Sequence, residues 1–289
     1  MTVKTLILLA IQIAIVGTVF TYGLQATRDD LLYMVHRPGL LLRSLMAMLG
    51  VMPLLVVAFV YFLDLPRPTA VVLTALAISP VPPLLPRKQK TAGGVAPYGL
   101  GMLVILALVS IVTVPLSVAL FNWLFAQPIK AEPAAIAKIV LTMIIAPLAA
   151  GMLVARFAPR AAPHLVRPVR RVAMLLLTVS VVVLLAGTWR EIEASIGHWT
   201  LLAVVIFVLG GLLVGHLLGG PEAEHASVLA LSTASRHPAI ALALAATNYP
   251  DEQFVPTLAL YLIVCTILAI PYVKWQQSRS AVSSGLHRR

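Results

Sequence analysis

The sequence predicts an all-α polytopic membrane protein: nine transmembrane helices in two inverted repeats of four and five, with the third and eighth helices broken and crossing. Three observations lead there. The chain is 60% hydrophobic and 11% charged, with a mean hydropathy of +0.99, whereas a soluble domain carries about 25% charged residues. Apolar stretches of the roughly 20 residues a hydrocarbon core requires recur along the 289 residues. Two of them are interrupted by proline at corresponding places in the two halves.

The first span, 3–26, is too long for the apolar region of a signal peptide and runs into Arg28-Asp29-Asp30 rather than a cleavage site, so it is read as a retained helix. Pro38-Gly39 opens the second span, 38–63, and Pro66 with Pro68 leads into the third, 68–86. Gly93-Gly94 precedes the fourth, 97–126; the fifth and sixth follow at 133–157 and 166–187. Gly219-Gly220-Pro221 divides the seventh, 198–218, from the eighth, 223–247, and Pro250 precedes the ninth, 254–275. Proline and glycine mark these joints because neither supports a continuing helix. Residues 1–275 thus read as one transmembrane domain with repeats over about 3–126 and 133–275, and 276–289 as a short, basic, disordered cytoplasmic tail. Gly210-Gly211-x-x-x-Gly215 is a small-residue stripe suited to close helix packing. Trp123, Trp189, Trp199 and Trp275 fall where interfacial anchors belong.

Nine spans place the termini on opposite sides. Of 21 Lys and Arg residues, fifteen lie on the C-terminal side, five on the other, and Arg236 is left over. The positive-inside rule then puts the C-terminus in the cytoplasm and the N-terminus outside. Topology accounts for the net charge of +11, so nucleic-acid binding loses its support. All ten acidic residues sit at or near span ends.

Arg236 is therefore the one charge at depth. It belongs to Ser235-Arg236-His237-Pro238, near the middle of the apolar stretch 226–247. A guanidinium there costs about 2.5–3.5 kcal/mol on insertion scales, and Pro238 removes a backbone donor. The third span carries the matching break, Ser79-Pro80-Val81-Pro82-Pro83-Leu84-Leu85-Pro86. Interrupted segments at corresponding places in two halves point to a transporter site near the midplane. The candidate substrate-binding residues are Arg236, His237, Ser235, Ser232 and Thr233, with Pro80, Pro82 and Pro83. The positive end of a half-helix starting after Pro238 would lie beside Arg236. A plainer reading also stands: Arg236 caps broken-helix carbonyls, the hydroxyls bond back to their own helix, and His237 is a hydrogen-bonded buried histidine. One cysteine, Cys265, and two dispersed histidines, His216 and His225, suggest neither metal nor cofactor. No His-Glu-x-x-His motif or pair of intramembrane aspartates supports an enzyme. A ligand-binding membrane sensor stays open beside a carrier.

Along nearly its whole length the chain resembles the bile acid:sodium symporter family. Tyr22-Gly23-Leu24 with Asp30-Leu31 and Arg37-Pro38 is similar to the family's Met-Gly-Leu…Asp-Phe…Pro entry into its core, and Met52-Pro53-Leu54 to its Met-Pro segment. Ser79-Pro80 stands where relatives have Cys-Pro-Gly-Gly, and Pro115 follows at the family's spacing to its Thr-Pro. Ser232-Thr233-Ala234-Ser235-Arg236-His237 takes the place of Glu-x-x-x-Gln-Asn, ahead of the small-residue run Ala239 to Ala246. The resemblance implies a carrier like the nine-helix members of the bacterial inner membrane. It also implies two coupled sodium ions, yet the corresponding ligand positions here are Ser232, Arg236, Leu85, Pro86 and positions near Gly99 and Leu103. Leucine and proline side chains offer no oxygen, and a guanidinium repels a cation by about 4 kcal/mol at 4 Å and an effective dielectric of 20. The expectation is a sodium-independent carrier of small organic anions in which Arg236 replaces the cation, or a proton-coupled one using His237.

Overall fold

A computed structural model describes residues 3–125 and 130–286. Residue 126, at the expected end of the fourth span, and residues 287–289, at the end of the tail, lie outside the described residues. Every regular element among those described is helical. Helix α1 (Val3–Gly23) is followed by α2 (Arg28–Leu32), whose start is closed by a capping box in which Asp30 N–H donates to Thr27 and Thr27 N–H to the Asp30 carboxylate. Helix α3 (Pro38–Leu45) passes through a π-helical turn (Met46–Val51) into α4 (Met52–Phe62). Then come α5 (Arg67–Ile78), the short α6 (Leu85–Thr91) and α7 (Ala96–Phe125). The second part holds α8 (Pro133–Val140), a second π-helical turn (Leu141–Ile145), α9 (Ala146–Phe157) and α10 (Ala162–Ala194). It ends with α11 (Thr200–Leu218), α12 (Ala223–Ala234), α13 (Pro238–Asn248) and α14 (Val255–Leu286).

Eight helical stretches among the described residues are long and apolar enough to cross a membrane. The third span is not among them, because it breaks at the proline run that the sequence marks. Its apolar helix α5 is only 12 residues long, because Pro80, Pro82 and Pro83 withhold the amides that would continue it. α14 continues through residues 276–286, which the sequence reading assigned to an unordered tail. No proline or glycine lies between Pro271 and Gly285, and Gln277 Nε2 donates to Thr91 O at 2.7 Å.

Burial separates a centre from a periphery. The eighth span, α12 with α13, is 78% buried over its apolar window, whereas α10 is 11% buried. The broken span is thus the middle of the protein, and α10 offers its surface to lipid. α1 packs on α9 and α10, while α13 packs on α5 and α12 on α11 and α14.

The α11–α12 contact depends on absent side chains. Gly211, Gly215 and Gly219, one turn apart, face Ala234, Ala230 and Ala226 in antiparallel order. A Cβ on Gly215 would sit 2.5 Å from Ala230 Cα and from Leu229 O, both backbone atoms that cannot swing away. The predicted stripe is therefore a packing seam, with Gly219 as its further member, whereas Gly210 faces Leu55. Overpacking costs about 1–3 kcal/mol, more than the roughly 1 kcal/mol that alanine adds to helix propensity. Gly215→Ala is expected to lower the thermal midpoint of the detergent-purified protein. Gly187→Ala, with nothing within 4 Å, should leave it unchanged or raise it; equal midpoints would refute the seam.

Candidate functional site

The two breaks touch. His237 N–H donates to Pro80 O at 2.8 Å, and Arg236 Nη1 donates to Ser79 O at 3.1 Å. Consecutive residues of one break thus serve consecutive carbonyls of the other. Proline explains why those carbonyls are available. In α-helical register Ser79 O would be bonded by residue 83, which is proline, and Ala234 O by residue 238, also proline. The π-helical turn supplies a third case. There Met52 N–H reaches back five residues to Ala47 O, so the next partner of Met48 O would be residue 53, again proline.

Each orphaned acceptor finds a side-chain donor. Arg236 Nη2 donates to Met48 O at 2.9 Å, and Tyr261 Oη donates to Ala234 O at 3.0 Å. Arg236 Nε donates to Thr233 O at 3.2 Å, a carbonyl left open because His237 N–H is used on Pro80. The Arg236 amide donates to Tyr261 Oη at 2.6 Å. One guanidinium therefore ties α12 to the end of α5 and to the turn between α3 and α4.

Arg236 is only 1% exposed. Its setting is electrostatically suitable even without a carboxylate, and the ion pairs among the described residues lie elsewhere. The guanidinium sits at the C-terminal ends of α5 and α12, each carrying about half a negative charge. The N-terminal end of α13 also begins next to Arg236, at Pro238, but the guanidinium's own hydrogen bonds run back to the two negative ends. His237 occupies the N-cap of α13. Its ring is 2% exposed, and neither ring nitrogen has a hydrogen-bond partner.

The other predicted residues divide. Pro80 and Pro83 are buried in the break, and Pro82 O accepts from Leu85 N–H at 3.1 Å, the turn that launches α6. Thr233 Oγ1 bonds back to Leu229 O at 2.7 Å, and Ser235 Oγ meets Cys265 Sγ at 3.3 Å. Ser232 Oγ accepts from Gln89 Nε2 at 2.7 Å, and the same nitrogen donates to Val228 O at 3.0 Å. Gln89 lies beyond the expected third span and was missed, although an amide among Arg87, Lys88 and Lys90 was a visible signal. Tyr261, one of several hydroxyls in the ninth span, was missed too.

These contacts test the sodium positions that the resemblance implies. Ser232, Pro86 and Gly99 converge on the Gln89 carboxamide, whose oxygen takes the space a Gly99 side chain would need. A Gln89 N–H points at Ser232, no carboxylate is present, and Leu85 and Pro86 contribute no side-chain oxygen. The Gln89 carboxamide thus fills this position with an N–H donor toward Ser232 and an oxygen that has no hydrogen-bond partner.

A helical membrane protein whose two proline-broken helices meet at a buried polar point has the architecture of a secondary transporter. The model of the sodium bile acid symporter family matches residues 12–195, well over half of the chain, and the chain belongs to that family. It is accordingly a membrane transporter and not an enzyme. The match ends at the close of α10, before the α12–α13 break. Comparison with curated proteins finds none that matches.

Removing the guanidinium leaves the carbonyls of Met48, Ser79 and Thr233 without side-chain donors, at about 1–3 kcal/mol for each buried group. Arg236→Ala should therefore lower the thermal midpoint more than Tyr261→Phe, with Arg236→Lys in between. Equal stability of Arg236→Ala and the wild type would show that the carbonyls do not depend on it.

Proposed function

We propose that this transporter carries small organic anions without sodium, with Arg236 as a permanent cation at the crossing. The observation that carries this reading is the guanidinium's setting. Three backbone carbonyls from separate elements converge on it, oxygen surroundings of the kind that suit a small monovalent cation. A residue that brings its own charge removes the need to recruit one from solution. Of the five guanidinium N–H groups, three have carbonyl partners, which leaves two for an anion. The first turn of α13 adds amides with no acceptor inside the helix. Around them Ile240, Ala241 and Leu244 are apolar and buried, so the fitting substrate is an amphipathic monoanion of the bile-acid-like or keto-acid-like kind.

Ser232 and His237 complete the site, and Ser235, Thr233, Pro80, Pro82 and Pro83 shape it. The crossing is closed in this structure, so loading requires the helices around the breaks to part, as alternating access demands. The fifteen-to-five charge asymmetry supports a C-terminus in the cytoplasm, and the likeness to the nine-helix members supports a bacterial inner membrane location.

A second reading rests on His237, whose unpartnered imidazole could accept a proton during the cycle. Uptake of a labelled organic anion by proteoliposomes separates the two. The expected result is flux unchanged when choline replaces sodium, not driven by a pH gradient in either the wild type or His237→Gln, and lowered by about tenfold or more in Arg236→Lys, where a point charge replaces a planar fork. Strong stimulation by a sodium gradient overturns the sodium-independent reading. Accumulation driven by a pH gradient and lost in His237→Gln selects proton coupling.

A further inference from the structure

Far from the crossing, at the face where α11 ends and α12 begins, the protein has a cationic pocket that the transport site does not use. Two adjoining cavities of about 230 and 510 Å³ share Arg43, Gly220 and Pro221. Arg37 borders the first and Arg279 the second. We propose that this pocket binds the phosphate headgroup of an anionic membrane phospholipid.

Charge is the first argument. The one carboxylate lining either cavity belongs to Glu222, and it lies 2.5 Å from His225 Nδ1. Among the described residues neither Arg43 nor Arg279 has an ion-pair partner. Arg279 rests over the Trp275 ring at 5.1 Å, and Arg37 over Tyr33 at 3.9 Å. Aromatic contact holds these guanidinium groups while leaving their N–H donors free to bind an anion, the geometry that suits arginine to phosphate. Arg43 lies against the Gly220 loop. Its Nη1 lies 3.1 Å from the place a side chain would take on Gly220, whose φ of 92° and missing Cβ let the guanidinium rest against the loop.

The apolar surroundings choose between a lipid and a free anion. Leu42 and Met46, one turn apart, are 61% and 51% exposed beside Arg43. Leu217 and Leu213, one turn apart on α11, are 68% and 59% exposed, and Leu217 itself lines the second cavity. α3 begins and α11 ends at this face, so both pairs run from the pocket toward the membrane interior. A headgroup in the pocket places acyl chains along these two stripes; a free phosphate has no use for them. Basic pockets between helices at the membrane surface have this chemistry.

The test is lipid retention on the full-length purified protein, read by native mass spectrometry with phosphatidylglycerol or phosphatidylcholine supplied in detergent. The expected result is retention of phosphatidylglycerol over phosphatidylcholine by about tenfold. That preference should fall to parity in the Arg43→Gln, Arg279→Gln double variant and persist in the Arg43→Lys, Arg279→Lys variant. An excess of inorganic phosphate should not displace the lipid. Equal retention of the two lipids, a preference that survives the glutamine variant, or displacement by phosphate each overturns the proposal. The readout is independent of transport, so it stands or falls apart from the role of Arg236.

Discussion

Backbone carbonyls that proline leaves without partners are the constraint around which this protein is built. In a membrane core no water satisfies them, and every unsatisfied acceptor there costs several kcal/mol. Pro53, Pro83 and Pro238 orphan the carbonyls of Met48, Ser79 and Ala234, three acceptors from three parts of the chain. Arg236 and Tyr261 supply donors to all three. The helices around the breaks then take their places from this one requirement, because the fork of a single guanidinium fixes how far apart the carbonyls stand.

The same arrangement explains how a charge is tolerated at depth. A guanidinium with no carboxylate beside it would be costly in hydrocarbon, but the ends of α5 and α12 together offer about one negative charge in partial dipoles. The plainer reading of Arg236 as a cap and the functional reading as a fixed cation are therefore parts of one description. The residue caps carbonyls, and a cap of this kind is a positive charge held still. The seam of Gly211, Gly215 and Gly219 brings α11 backbone to backbone with α12, the helix that ends just before the arginine.

Two side-chain donors hold the ground around the breaks. The Gln89 carboxamide bonds Ser232 and occupies the space beside Gly99, while the guanidinium takes the carbonyls nearby. In both places a side-chain N–H meets an oxygen from a distant part of the chain. Glycine at position 99 is part of this packing, since any side chain there would displace the Gln89 oxygen.

Much of this was legible in the residues. Hydropathy gave the class, proline and glycine gave the joints, and the isolated Arg236 with the proline run of the third span identified the two breaks, because each of those signals is local. Within the third span the apolar helix stops at Ile78, where the prolines begin to withhold their amides, and α14 continues past 275 because no breaker interrupts it. The partners of Arg236 were beyond sequence reasoning, since they are carbonyls, which every residue has, and only folding selects three of them. Tyr261 and Gln89 were visible as polar residues, but nothing along the chain joins Gln89 to Ser232, 143 positions away. The sequence by itself determined that a charge would be buried and where the backbone would fail. The tertiary structure alone decided which acceptors that charge would meet, because hydrogen-bond partners at such separations are set by packing and not by pattern.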